Sequence, residues 1–99
     1  MEIIKTLEGE TLTIELKGKL DSNTATELEA ALNGALVGVT LLIWEFQDLK
    51  YLSSAGLRIL LGAQKTMNKQ GKMVLRHVND IIMEVFDMTG FSGILTFED

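Results

Sequence analysis

Val39-Thr40-Leu41-Leu42-Ile43-Trp44-Glu45-Phe46 is apolar almost throughout. Asp48-Leu49-Lys50-Tyr51-Leu52-Ser53-Ser54-Ala55-Gly56-Leu57-Arg58 then carries the chain into an amphipathic segment. A short apolar run of this kind suits a central strand covered on both faces. Periodicity alone does not separate it from a helix, but its β-branched and aromatic content favours strand. Asp48 to Leu52 reads as the loop that follows. From Ser53 the period is helical: Leu57, Leu60, Leu61, Gln64 and Met67 share one face, and Arg58, Lys65, Asn68 and Lys69 lie away from it until Gly71. Two adjacent serines therefore stand where a strand hands over to a helix.

Working outward, residues 2–8 read as a short strand and Glu8-Gly9-Glu10 as a turn. Thr11 to Lys17 alternates, with Leu12, Ile14 and Leu16 facing one way, so the two runs form a hairpin. Gly18-Lys19-Leu20-Asp21 is a break. Asp21, Ser22 or Asn23 then caps a helix running from about residue 23 to about residue 33, with Gly34 near its end. On the C-terminal side, Met73 to Val78 is a strand. Asn79 caps a third helix whose apolar face is Ile81, Ile82, Val85, Phe86 and Met88. Gly90 stops it, and Ile94 to Phe97 reads as a final strand. The expected order is β-β-α-β-α-β-α-β. Helices alternating with strands imply right-handed crossovers and a mixed, mostly parallel sheet of four to five strands with about three helices.

The 99 residues are expected to form a single α/β domain, spanning 1–99, with one ordinary core. There is no cysteine, which removes disulfides, thiol catalysis and cysteine-based zinc sites, and one histidine is too few for a histidine-rich metal site. The formal charge of -5 argues against direct nucleic-acid binding, which needs clustered Lys and Arg. No apolar run approaches the roughly 18 residues of a membrane helix. The first residues have neither the basic nor the apolar region of a signal peptide. The expectation is a cytoplasmic protein with no cofactor and no bound metal.

Catalysis by Ser53 or Ser54 would need a base, and His77 is the one histidine. No third group is clearly placed to orient it, and Gly-x-Ser-x-Gly is absent. The plain reading of His77 is a partly exposed strand residue. No nucleotide-binding glycine motif occurs. Asp21, Glu45 and Asp48 could converge as a hard-cation site, but each has a simpler role as cap, strand-end charge or loop residue. The serine pair keeps two readings: a helix cap, or a serine that accepts a phosphate. A phosphate there gains from the free N–H groups and the dipole of the helix start.

Tyr51-Leu52-Ser53-Ser54-Ala55-Gly56-Leu57-Arg58 resembles the signature of bacterial anti-sigma factor antagonists, the stand-alone STAS-domain proteins. Gly18-Lys19-Leu20-Asp21-Ser22-Asn23-Thr24 resembles that family's Gly-x-Leu-Asp-x-x-Thr loop. Val39 to Phe46 resembles its central strand, and Val85-Phe86-Asp87-Met88-Thr89-Gly90-Phe91 its last helix and the turn after it. The resemblance implies partner switching rather than an enzyme. The unphosphorylated protein binds an anti-sigma factor that is also a serine kinase. Phosphorylation of one serine weakens the complex, and a PP2C-type phosphatase restores it. The implied acceptor is Ser54, with Ser53 the alternative. The implied docking face is Asp21, Thr24, Ser53, Ser54, Ala55, Gly56 and Arg58. Two rivals stay open: a STAS-type module with a non-sigma partner, such as a transporter or sensor complex, and a small hydrolase using Ser54 and His77. The oligomeric state is not legible.

Overall fold

The computed structural model describes residues 1–98. Six strands and three α-helices follow one another as β1 (Glu2–Glu8), β2 (Thr11–Leu20), α1 (Ser22–Leu32), β3 (Leu41–Glu45), β4 (Leu49–Leu52), α2 (Ser54–Asn68), β5 (Lys72–Arg76), α3 (Asp80–Thr89) and β6 (Phe97–Glu98). A 3-10 turn over Phe91–Gly93 precedes β6. The sheet order is β1-β2-β3-β5-β6, with β4 also paired to β2. Among the described residues, only the β1–β2 hairpin is antiparallel; the other pairings are parallel. This is the α/β class and mostly parallel sheet that the alternation implies.

The core follows from the strand alternation. Leu12, Ile14 and Leu16 of β2 are buried, while Thr11, Thr13 and Glu15 point to the other face and stay partly open. Leu42 and Trp44 of β3 and Met73 and Leu75 of β5 continue the buried row in register. The helices cover that row with Ala25 and Leu28 of α1, Leu57, Leu60 and Met67 of α2, and Ile82 and Phe86 of α3. Each fully buried Leu or Ile contributes roughly 1.5–3 kcal/mol relative to exposure.

Several expectations are corrected, the strand count among them: the described residues hold six strands rather than four to five. Residues 49–52 are a strand, not a loop. Leu49 and Leu52 are buried, and β4 pairs with Gly18, Lys19 and Leu20. The break at Gly18-Lys19-Leu20 lies inside one long strand, opposite a β-bulge whose extra residue is Lys50 of β4: Gly18 pairs with Leu49 and Lys19 with Tyr51. Gly18 has φ 109, a backbone that favours glycine, and its N–H donates to the Asp48 carbonyl at 3.0 Å. The bend there lets β2 leave β3 and continue alongside β4. The final strand lies at Phe97–Glu98 rather than Ile94–Phe97, because Phe91–Gly93 forms the 3-10 turn. In α3, Ile82 and Phe86 are buried as expected, but Ile81 and Met88 face solvent. Strand β5 spans Lys72–Arg76 rather than Met73–Val78, so His77 is not a strand residue. His77 has φ 54, the left-handed region that histidine tolerates better than most side chains, and the chain turns there toward α3.

Candidate functional site

Each helix that follows a parallel strand starts at the same edge of the sheet, and the starts of α1 and α2 are joined directly. Leu20 pairs with Leu52, and the Ser53 N–H donates to the Leu20 carbonyl at 2.9 Å. The next residue on each chain is a helix cap or a helix start. Asp21 and Ser53 are thereby held side by side by backbone geometry.

Asp21 closes a capping box on α1. Its Oδ1 accepts from the N–H groups of Asn23 at 3.0 Å and Thr24 at 2.9 Å, and its own N–H donates to the Thr24 hydroxyl at 2.9 Å. The Thr24 hydroxyl donates to the Lys19 carbonyl at 2.7 Å. Donation from the Thr24 N–H, first among the causes, holds the Asp21 carboxyl below its ordinary value. Its charge is thus fixed beside the serine pair. Thr24 is turned inward and braces the loop.

Ser53 caps α2, accepting from the Gly56 N–H at 3.3 Å. Ser54 is the first helical residue. It is exposed, and its hydroxyl has no hydrogen-bond partner among the described residues. Ala55 is half-buried. Arg58, one turn along from Ser54, is exposed. Gly56 lies under this surface. A Cβ built there would stand 2.7 Å from Leu20 Cγ and Cδ2 and 2.9 Å from Leu52 Cδ1. Glycine therefore lets α2 start directly on the two strands that carry Asp21 and Ser53.

Of the expected docking residues, Asp21, Ser53, Ser54, Ala55 and Arg58 come together at this edge, while Thr24 and Gly56 support it from within. An open groove of about 1060 Å³ runs from it between α1 and α2, lined among others by Ser22, Glu29, Ala55, Arg58 and Gly62. Glu29 and Gly62 were missed in the sequence. The available signal was the share of small residues on both helices, among them Ala55 and Gly62 seven apart on α2.

His77 does not reach the serines. Its Nδ1 lies 2.5 Å from Glu45 Oε1, and the Ser53 hydroxyl serves the Gly56 N–H instead. Asp21 and Glu45 are thus each occupied by other partners. Among the described residues, no group of three His, Asp or Glu side chains stands close enough to share a metal ion. Among the described residues, no helix is long and apolar enough to cross a membrane.

Comparison with known proteins gives this arrangement a family. The model of the STAS domain matches residues 2–99. The anti-sigma-B factor antagonist of Listeria monocytogenes is 29% identical over 99 residues, covering 97% of this chain and 86% of that protein. Two solved structures share the fold. The anti-sigma factor antagonist SpoIIAA in its unphosphorylated form has a TM-score of 0.78 at 24% identity, over 99% of this chain and 88% of that one. The Bacillus SpoIIAA in its phosphorylated form has a TM-score of 0.77, again at 24% identity, over 99% and 92%. With the family model spanning nearly every residue and the serine pair held at a helix start, the chain belongs to the STAS domain family, among relatives that are anti-sigma factor antagonists.

Proposed function

We propose that this chain is an anti-sigma factor antagonist that acts in the cytoplasm by partner switching and catalyses nothing itself. The observation that carries the reading is the division of labour in the serine pair. Ser53 is engaged as the cap, and the neighbouring Ser54 hydroxyl is exposed with no partner among the described residues. The relative's name supports the partner class, and the solved phosphorylated form of SpoIIAA supports the kind of switch.

In the unphosphorylated state, the edge made by Asp21, Ser53, Ser54, Ala55 and Arg58 docks an anti-sigma factor with serine kinase activity. Thr24 and Gly56 hold that edge in shape. The kinase transfers the γ-phosphoryl group of ATP to Ser54 Oγ. The bond from phosphorus to the ADP leaving oxygen breaks, the bond to Oγ forms, and the hydroxyl proton leaves to a kinase base. The phosphate adds close to two negative charges. The free N–H groups at the start of α2 accommodate it, so the domain need not unfold. The partner instead meets bulk and charge beside the already ionised Asp21, and the complex weakens. A PP2C-type phosphatase hydrolyses the ester and restores the docking form.

The test is incubation with the cognate anti-sigma factor kinase and ATP, followed by mapping of a gain of about 80 Da by mass spectrometry. Ser54→Ala should bind the kinase and resist phosphorylation, and Ser54→Asp should bind it more weakly. A phosphate found on neither serine, or equal binding by wild type and both variants, refutes the mechanism.

A further inference from the structure

The net charge of -5 is segregated along the chain. All nine cations fall within residues 1–79, where nine of the 14 carboxylates match them. The remaining five, Asp80, Glu84, Asp87, Glu98 and Asp99, lie in the last twenty residues, with no lysine or arginine among them. Glu98 is engaged by Arg76 across the β5–β6 pair, at 2.8 Å. Asp80, Glu84 and Asp87 all sit on α3 and have no ion-pair partner among the described residues.

The same helix carries exposed apolar side chains. Ile81 is 69% exposed and Met88 80%. Seven residues apart, they differ in direction by only about 20° around the helix, and Val85, half-buried, lies between them. Ile82 and Phe86 go into the core on one side of this stripe. Glu84, Asp80 and Asp87 lie on the other side, within about 60–120° of Ile81. The outer surface of α3 is thus an apolar ridge with a carboxylate rail along one flank. Its position is held: the Asn79 side chain caps the helix through the Ile82 N–H at 2.9 Å and donates to the Leu49 carbonyl of β4 at 2.9 Å. A preformed, rigid apolar face with a charged rim is the usual shape of an interaction site.

We propose that the outward face of α3 docks a cationic amphipathic helix of a partner protein. Apolar side chains of that helix would cover Ile81, Val85 and Met88, and its lysines or arginines would meet Asp80, Glu84 and Asp87. Charge selects this occupant. A second copy docked symmetrically through its own α3 would bring the same three carboxylates against them, and an anionic lipid surface would be repelled by them. No residue of α3 lines the groove at the Ser54 edge, so docking on α3 is expected to be independent of phosphorylation.

The test is a titration of the ¹⁵N-labelled full chain with a synthetic amphipathic helix of leucine and lysine, and with the matching leucine–glutamate peptide. The lysine peptide should bind saturably, with chemical-shift changes centred on Ile81, Val85 and Met88; the glutamate peptide should not bind. Binding should weaken at least about tenfold in Ile81→Ser with Met88→Ser, and similarly in Asp80→Asn with Glu84→Gln and Asp87→Asn. Both variants change exposed side chains, and a thermal melt by circular dichroism confirms that they fold. Ser54→Asp should bind the lysine peptide as wild type does, so failure here leaves the phosphorylation reading intact, and the reverse. Three results overturn the proposal: unchanged affinity in Ile81→Ser with Met88→Ser, shift changes centred outside α3, or α3 shifts produced without peptide by self-association or by phosphatidylglycerol vesicles.

Discussion

Gly56→Ala and Gly62→Ala place the same methyl group on the same helix, and the structure assigns them opposite signs. Both glycines lie inside α2, where alanine is favoured over glycine by about 0.8–1.0 kcal/mol. At Gly62 a Cβ meets nothing within 4 Å, so that gain stands and the variant should be more stable by about 0.5–1 kcal/mol. At Gly56 the Cβ arrives 2.7 Å from Leu20 and 2.9 Å from Leu52. Both leucines are buried, and Leu20 Cγ is a branch point rather than a free tip, so neither side chain simply swings away. Overpacking of this kind costs about 1–3 kcal/mol, which outweighs the helix gain and leaves a net loss of about 1 kcal/mol. For a domain of this size that loss lowers Tm by about 4–8 °C. Urea denaturation and differential scanning calorimetry of wild type and both variants measure it. The functional readout is binding to the anti-sigma factor kinase, which should fall in Gly56→Ala because Leu20 and Leu52 precede Asp21 and Ser53. Equal stabilisation by the two substitutions would refute the claim that α2 rests on the strands at Gly56.

The serine pair should separate in the same assay. Ser53→Ala removes the bond to the Gly56 N–H and should cost about 1 kcal/mol, whereas Ser54→Ala should stay within about 0.5 kcal/mol of wild type. Asn79→Ala loses both the cap on α3 and the bond to the Leu49 carbonyl, and should cost about 2 kcal/mol by urea denaturation. Asp21 has its folded pKa lowered from an ordinary value of 3.8. Its contribution is therefore fully present above that value and is lost as pH falls through the lowered one. Asp21→Asn keeps a good capping side chain without the charge, so its acid unfolding curve should be flatter in that range than that of wild type.

Much of the fold was legible because its signals are local. The alternation of Thr11 to Lys17, the apolar run at Val39 to Phe46 and the serine–helix junction each declare their element without help from the rest of the chain. The misreadings share a cause in long-range pairing. Leu49 to Leu52 is too short and too mixed to announce a strand, and it becomes one because β2 runs on through Gly18 and offers Lys19 and Leu20 as partners. Gly18 looked like a stop for the same reason: in sequence, a glycine that bends a strand resembles one that ends it. Ile81 and Met88 matched the helical period of α3 yet face solvent, since periodicity does not reveal which arc of a helix the sheet covers. In the site, Ser53 and Asp21 were readable as candidate helix caps. The inward roles of Thr24 and Gly56 depended on Lys19, Leu20 and Leu52, which no local pattern ties to them.

The bend at Gly18 divides β2 into two ladders. Residues 11–15 pair with β3 in the middle of the sheet, and residues 18–20 pair with β4 alone. The edge that holds Asp21 and Ser53 is thus fastened by a three-residue ladder rather than by the main one. In hydrogen-exchange terms these are two cooperative units with separate opening free energies. The amides of Leu20 and Ser53 should exchange before those of Ile14 and Trp44, through openings that leave the core intact. Anything that clamps the short ladder, whether a docked partner or a phosphate, would then be visible as slower exchange at those few amides while the rest of the sheet stays unchanged.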